Sequence, residues 1–352
     1  MEREEQRVQE PSKRFGVDLG DKISRYAILD ADGELIEEGT FRNQVTSIAK
    51  HFGGNTAPAR IALEAGGQSA WIERELKRLG HEVIVAHARE LAWITSADDK
   101  SDRSDAEKLA RLAWADPRLL KQAHHRSGEQ QGQLGVIRAR DGIVKARTLL
   151  VNTARGMAKG FGVRLPKCIT KVFGARATAT IPEELKPALT GILAQIDQLT
   201  ACIKSYDQQV ADMVAHRDDL RPVCSIPGVG PLTALTFALT LGSPERFAQS
   251  RDVGAFLGMR PKRSQSGERD PRLAITKAGD KYLRKLAVQC SHHILGHWGR
   301  DSALRRWGLR IAAAGGKSAR KRAIVAVARK LVVLMHRLWR TQQAFQPSPL
   351  TV

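Results

Sequence analysis

The sequence predicts an α/β domain near the N-terminus, followed by an all-α remainder. Strand-length apolar runs alternate with helical patterns over residues 15–115. Apolar residues then recur every 3.5 positions on average over much of residues 126–220, and glycine-bounded turns separate helical segments rich in Lys and Arg beyond that point. We therefore expect a disordered tail over residues 1–14 and three domains, over residues 15–120, 121–220 and 221–345.

Composition points to a polyanionic partner. The 352 residues contain 57 Lys and Arg against 37 Asp and Glu, giving a net charge of +20. Nucleic acid fits this balance better than a membrane, because no apolar run approaches about 20 residues and no lipidation signal is present. The four cysteines form no C-x-x-C pair and are typical of reduced thiols in a cytoplasmic protein. The charged N-terminal segment lacks the apolar core of a signal peptide.

Four carboxylates stand out in the first domain. Asp18 lies inside an apolar strand, Glu64 ends a later strand, and Asp102 and Asp105 are three residues apart at a helix start. Taken singly, Asp18 is better explained as a turn cap, Glu64 as a solvent-facing acid and Asp102 as a helix N-cap. Together they indicate a two-metal phosphoryl-transfer site. The predicted β-β-β-α-β-α-β-α order, with an acid on the first strand, is the layout of the ribonuclease-H-like fold of Holliday-junction resolvases.

The middle region predicts two long helices with apolar seams of period 3.5. The first seam consists of Val136, Ala139, Ile143, Ala146, Leu150, Thr153 and Met157. The second consists of Leu185, Leu189, Ile192, Ile196, Leu199, Ile203, Tyr206, Val210 and Met213. Two interpretations remain open: a helical hairpin within one chain, or a coiled coil with a second subunit.

The last region has three candidate nucleic-acid contacts. Gly228 and Gly230 form a turn similar to that of a helix-hairpin-helix element, whose backbone N–H groups can bind phosphate; a plain tight turn is the alternative. In the following loop Arg260, Lys262 and Arg263 precede Ser264 and Ser266, which suits phosphate binding or a serine nucleophile. A helix predicted over residues 277–294 places three lysines on one face: Lys277, Lys281 and Lys285.

Motifs along nearly the whole chain past Arg14 resemble one family. They are GVDLGD, LEAGG, SDRSDAEKLA, RARDGIVKARTLLVNTARG, the run from IPGVGPLTALTFALTLGSPERF to KYLRKLAVQC, and GGKSARKRAIVAVARKLVVLMHRLW. The chain is similar to DEDD-type transposases of the insertion-sequence family numbered 110, subgroup 1111. The resemblance implies that Asp18, Glu64, Asp102 and Asp105 bind Mg²⁺, with Mn²⁺ as a substitute. It implies Ser266, in the family's S-G motif, as the nucleophile, with Ser264 nearby.

The same resemblance implies site-specific DNA recombination through a covalent phosphoserine link. It also implies a structured guide RNA from the element, a homo-oligomer (dimer or tetramer), and a bacterial, nucleoid-associated location. Two other functions are weighed against it. One is a structure-selective junction-resolving endonuclease that uses metal-activated water, and the other is a non-catalytic nucleic-acid-binding protein.

Overall fold

The computed structural model describes residues 13–53, 58–87, 102–120, 122–266, 269, 271, 273–316 and 318–347. The chain divides into two compact units, one ending at Arg126 and the other beginning at Ser127. Most of the predicted tail, residues 1–12, lies outside the described residues, and the first strand begins at Arg14.

The first unit is built on a five-stranded mixed sheet with strand order β3-β2-β1-β4-β5. Strands β1, β2 and β3 form an antiparallel meander, and β4 and β5 run parallel to β1. The predicted alternation of strands and helices is confirmed. The elements are β1 (Arg14–Asp18), β2 (Ile23–Leu29), β3 (Leu35–Arg42), α1 (Val45–Phe52), β4 (Arg60–Glu64), α2 (Ser69–Arg78), β5 (Glu82–Ala86) and α3 (Asp102–Ala115).

Helices cover both faces of this sheet, which explains why β1 is buried along most of its length. Phe15 and Val17 of β1 share a core with Ile48 of α1 and Ile72 of α2. Gly16 points to the opposite face, because successive side chains of a strand alternate. There α3 lies so close that a Cβ on Gly16 would sit 1.9 Å from the Ala106 carbonyl oxygen. This mixed α/β architecture is consistent with a ribonuclease-H-like domain.

The second unit opens with two long helices, α4 (Gly128–Gly160) and α6 (Lys186–Ala215), which pack on each other. A capping box between Ser127 and Gln130 starts α4. Two polar contacts join the pair: Arg140 Nε to Asp207 Oδ1 at 2.6 Å, and Arg147 to the Thr200 hydroxyl at 3.1 Å. The intramolecular helical hairpin is thus present.

The seams of the two helices behave differently. On α6 the predicted seam is buried at seven-residue intervals, at Leu189, Ile196, Ile203 and Val210. On α4 the buried residues are instead Ile137, Val151, Ala154 and Ala158. Four predicted seam positions of α4 are exposed: Ala139, Ala146, Thr153 and Met157. Within the hairpin, α4 therefore buries the face next to the predicted seam. On that face Ile137 and Val151 offer more apolar area than the small side chains of Ala139, Ala146 and Thr153.

The rest of the second unit is helical. Its other helices are α5 (Phe173–Thr178), α7 (Arg221–Cys224), α8 (Pro231–Leu241), α9 (Arg251–Phe256), α10 (Lys281–Leu295), α11 (Ala303–Ala313) and α12 (Ala319–Thr341). Helix α8 lies at the centre, and every residue in it from Thr233 to Leu241 is buried. Its side chains share a core with α6, α10 and α12. Among the described residues, no helix combines the length and apolar character needed to cross a bilayer.

Candidate active site and nucleic-acid interface

Asp18 and Glu64 end two neighbouring parallel strands. The last paired residues of β1 and β4 are Val17 and Leu63, and each acid is the next residue along its strand. Both carboxylates are half-buried at the carboxyl edge of the sheet. Parallel strands bring their ends to one edge, which explains how acids 46 positions apart in the sequence become neighbours.

Helix α3 brings its N-terminal end to the same edge. Its C-terminal end lies by the β2–β3 turn, where the Trp114 indole N–H donates to the Ala31 carbonyl at 2.9 Å. That turn adjoins the amino end of β1, since Leu29 pairs with Arg14. Because Ala106 packs on Gly16, the helix runs antiparallel to β1 and starts near the Asp18 end. Asp102 is its first residue and Asp105 lies one turn further on.

The structure thus gathers Asp18, Glu64 and the start of α3 at one edge. Asp105 is 33% exposed and contacts Lys108 at 3.3 Å, whereas the side chain of Asp102 lies outside the described residues. Within the part of the chain that is described, no three His, Cys, Asp or Glu side chains form a metal-holding group. Asp18, Glu64 and Asp105, the three candidate acids whose side chains are described, therefore do not form such a group by themselves.

The serine loop forms an irregular hairpin rather than an unstructured loop. Pro261 bridges Ile275, and Ser266 bridges Arg269 through two backbone hydrogen bonds of 3.2 and 3.1 Å. At its base, a Cβ on Gly258 would lie 2.3 Å from the Ala278 nitrogen. The exposed residues along its first arm include both serines and the three predicted cations: Arg260, Lys262, Arg263, Ser264 and Ser266.

The predicted lysine stripe requires a correction. Lys277 has a left-handed backbone with φ of 58°, and α10 begins only at Lys281. Asp280 caps the helix by accepting the Leu283 N–H at 2.7 Å. Lys277 is therefore not on the helix. Lys281 and Lys285 remain one turn apart, and the Lys285 ammonium lies 3.2 Å from Asp141 of α4.

The glycine turn borders an open groove. Gly228 has φ of 91°, which side-chain-bearing residues rarely adopt, and Gly230 is the N-cap residue of α8. The groove has a volume of about 450 Å³. Its lining comprises Gly228, Val229, Gly230, Thr233, Leu286, Gln289, Cys290 and His293. The preceding helix, α7, has only four residues, so the resemblance to a helix-hairpin-helix element is limited to the turn and α8.

Comparison with known proteins places these regions in one family. Residues 15–162 match the model of DEDD transposases of IS110, and residues 220–307 match that of the IS116/IS110/IS902 transposase family. A putative transposase, y4pF/y4sB of Sinorhizobium fredii, is 30% identical over 284 residues, covering 78% of this chain and 70% of the relative. This chain belongs to the IS110 family of transposases.

Two further transposase relatives show that the similarity spans both units. The transposase of insertion sequence element IS1328 from Yersinia enterocolitica is 28% identical, over 79% of this chain and 82% of the relative. The transposase of IS1111A from Coxiella burnetii is 25% identical, over 81% and 78% respectively. The first IS110 family match contains all four candidate carboxylates, and the second contains Gly228, Gly230 and Ser266.

Proposed function

We propose that this IS110-family transposase is a site-specific DNA recombinase that cuts and rejoins strands with Mg²⁺ and a phosphoserine intermediate. The observation that carries the proposal is the placement of Asp18 and Glu64 directly after a paired Val17 and Leu63, with the start of α3 at the same edge. Burying part of two carboxylates at one edge costs free energy, and a bound cation would offset that cost.

The donor set fits a hard divalent cation. Carboxylate oxygens are the ligands that Mg²⁺ prefers, and it binds through one or two of them while keeping waters and substrate phosphates. Asp18, Glu64, Asp102 and Asp105 would together hold two such ions. When bound, Mg²⁺ would polarise the scissile phosphate and stabilise the charge that develops on its oxygens.

Ser266 is the proposed nucleophile. Its oxygen would bond to phosphorus as the bond from phosphorus to a deoxyribose oxygen breaks; the serine loses its proton and the released oxygen gains one. The phosphodiester energy is kept in the serine ester, so the reverse attack rejoins a strand without ATP. Exposed Arg260, Lys262 and Arg263 in the same hairpin would neutralise phosphate charge.

The proposed partners are DNA, a structured guide RNA and a second copy of the chain. DNA follows from the family and from the net charge of +20. The guide RNA follows from the family resemblance. The exposed seam positions of α4 support self-association, because their heptad spacing is typical of helices that pack with a partner.

A denaturing gel tests the proposal. The protein is incubated with Mg²⁺, the element's flanking RNA and labelled target DNA. We expect Asp18→Asn to abolish cleavage and leave DNA binding by gel shift intact, because only the metal donor is lost. Asp32→Asn is the matched control, since Asp32 is exposed in the β2–β3 turn at the opposite edge of the sheet. Loss of binding together with cleavage in Asp18→Asn would contradict a catalytic role.

The same gel identifies the nucleophile. We expect a covalent protein–DNA adduct that disappears in Ser266→Ala and persists in Ser264→Ala. Cleavage without an adduct in the wild-type protein would indicate a junction-resolving endonuclease that uses water. An adduct that is lost only in Ser264→Ala would move the nucleophile to that residue.

A further inference from the structure

A buried serine holds the turn that follows Glu64. Ser69 is fully buried at the start of α2. Its hydroxyl oxygen accepts the Gly66 N–H at 3.0 Å and donates to the Gly66 carbonyl at 2.8 Å. Gly66 is two residues beyond Glu64, and the intervening Ala65 N–H donates to the Ala86 carbonyl at 2.9 Å. The backbone after Glu64 is thus fixed on both sides of Ala65.

His125 supports that serine from the end of the first unit. Its Nε2 lies 3.0 Å from the Ser69 hydroxyl oxygen, and its Nδ1 lies 2.6 Å from Glu73 Oε2. The single Ser69 hydroxyl hydrogen is used on the Gly66 carbonyl, and a carboxylate can only accept. The His125 ring therefore joins Ser69 to Glu73 through its two nitrogens.

Glu73 anchors the histidine in turn. Its side chain is 8% exposed and also accepts from the Lys77 ammonium at 2.7 Å. Burial alone would raise the pKa of Glu73, but the hydrogen bonds from Lys77 and His125 outweigh burial and hold that pKa below its usual value. The segment carrying His125 is itself attached to the sheet, since the Ala123 N–H donates to the Val85 carbonyl at 2.7 Å.

Gln68 links this assembly to the turn after Asp18. Its side-chain amide donates to the carbonyls of Asp21 and, at 3.3 Å, Gly20. Asn43 reaches the Gly20 carbonyl from the other side at 2.8 Å, and its own side-chain oxygen accepts the Ser24 hydroxyl at 2.6 Å. The turns that follow the two acids are therefore tied to each other through one side chain.

We infer that Gln68 and His125 are positioning residues for Asp18 and Glu64. Gln68 fixes one acid-bearing turn against the other, and His125 fixes the Glu64 side through Ser69. Carboxylates that bind one cation must be held close together despite their mutual repulsion, and hydrogen bonds behind the ligands supply that restraint. The inference rests on the proposed function, because it assumes that these two acids hold a divalent cation.

The test is Mn²⁺ binding to the full-length protein, measured by the electron paramagnetic resonance signal of free Mn²⁺. We expect Gln68→Ala and His125→Ala each to weaken binding about tenfold, the lower end of losses seen when support for metal ligands is removed. The Mn²⁺ concentration for half-maximal DNA cleavage should rise by the same factor. Gln68 is only half-buried, so Gln68→Ala keeps the test valid if His125→Ala does not fold.

His81→Ala is the matched control. His81 is also a buried histidine with two hydrogen bonds, to the Phe52 carbonyl at 2.6 Å and from the Ala59 N–H at 3.2 Å. It precedes β5 and therefore lies at the amino edge of the parallel strands, away from the acids. We expect His81→Ala to lower the melting temperature and leave the Mn²⁺ affinity unchanged.

Two results would count against the inference in different ways. Wild-type Mn²⁺ affinity in folded Gln68→Ala and His125→Ala would show that the hydrogen bonds only stabilise the fold, with the proposed metal site intact. Wild-type affinity in Asp18→Asn would instead overturn the metal site itself, and with it the proposed function and the positioning role.

Discussion

Asp219 connects the end of the helical hairpin to the last helix through one carboxylate. It accepts two bonds of 2.7 Å from the Arg217 guanidinium and one of 2.9 Å from the Trp339 indole on α12. The hydrogen bonds from Arg217 hold the pKa of Asp219 below its usual value. Its stabilising effect is therefore present above the unfolded-state pKa of about 3.9 and is lost as the pH falls through the lower folded-state pKa.

We expect Asp219→Asn to lower the free energy of unfolding at pH 7 by about 1 kcal/mol, below the usual value for charged hydrogen bonds because water screens this carboxylate. The difference from the wild type should begin to shrink below about pH 4, where Asp219 becomes protonated in the unfolded chain, and should disappear as the pH falls through the lower folded-state pKa. Urea denaturation between pH 3 and pH 7 measures both effects. Asp218→Asn is the control, since the Asp218 side chain is 79% exposed and pairs with Arg221 on the surface. Equal losses in the two variants would refute the prediction.

At the scale of elements, the contact between β1 and α3 brings the helix segment that carries Asp102 and Asp105 to the edge of the sheet where Asp18 lies. A methyl group on Gly16 would meet the Ala106 carbonyl oxygen at 1.9 Å and the Ala110 nitrogen at 2.4 Å, and backbone atoms cannot rotate away. We expect Gly16→Ala to displace α3 and destabilise the first unit by about 3 kcal/mol, the upper end for overpacking. Amide hydrogen exchange followed by mass spectrometry measures this loss of stability, and we expect exchange to be faster in β1 and α3.

Gly67→Ala provides the comparison for Gly16→Ala. Gly67 lies in the same unit, and a Cβ there meets no heavy atom within 4 Å. Exchange in β1 and α3 should match the wild type in this variant. Unchanged exchange in Gly16→Ala as well would mean that the helix can move without loosening the strand.

How far the sequence predicts each element depends on whether its signal is local. The strands of the first unit follow from short apolar runs, and the Asp18–Glu64 edge follows from where those runs end. The sequence places the start of α10 too early, at Lys277, because lysines spaced by four positions are typical of a helix. In the structure the left-handed backbone of Lys277 and the cap at Asp280 make the helix begin at Lys281. The link between Ser69 and His125 spans 56 positions, so no pattern of spacing signals it.

Over the whole molecule, one exposed stripe on α4 has no partner among the described residues of its own helical hairpin. Leu149 is 66% exposed and Met157 36%, and Ala146 and Thr153 are exposed on the same face. These positions recur at three- and four-residue steps, the pattern of a helix that packs against another. Ile203, by contrast, is 6% exposed within the hairpin. Substituting Ile203 would therefore unfold the hairpin rather than test association.

We expect Leu149→Asp to lower the molar mass measured by light scattering from that of an oligomer to that of the 38.8 kDa chain. A carboxylate on this face would be buried without a partner in a helix–helix interface, which costs several kcal/mol per subunit pair. Ile169→Asp is the control, because Ile169 is 70% exposed but lies in the connection beyond α4. If Leu149→Asp keeps the oligomeric mass, the contact between subunits lies on another face of the chain.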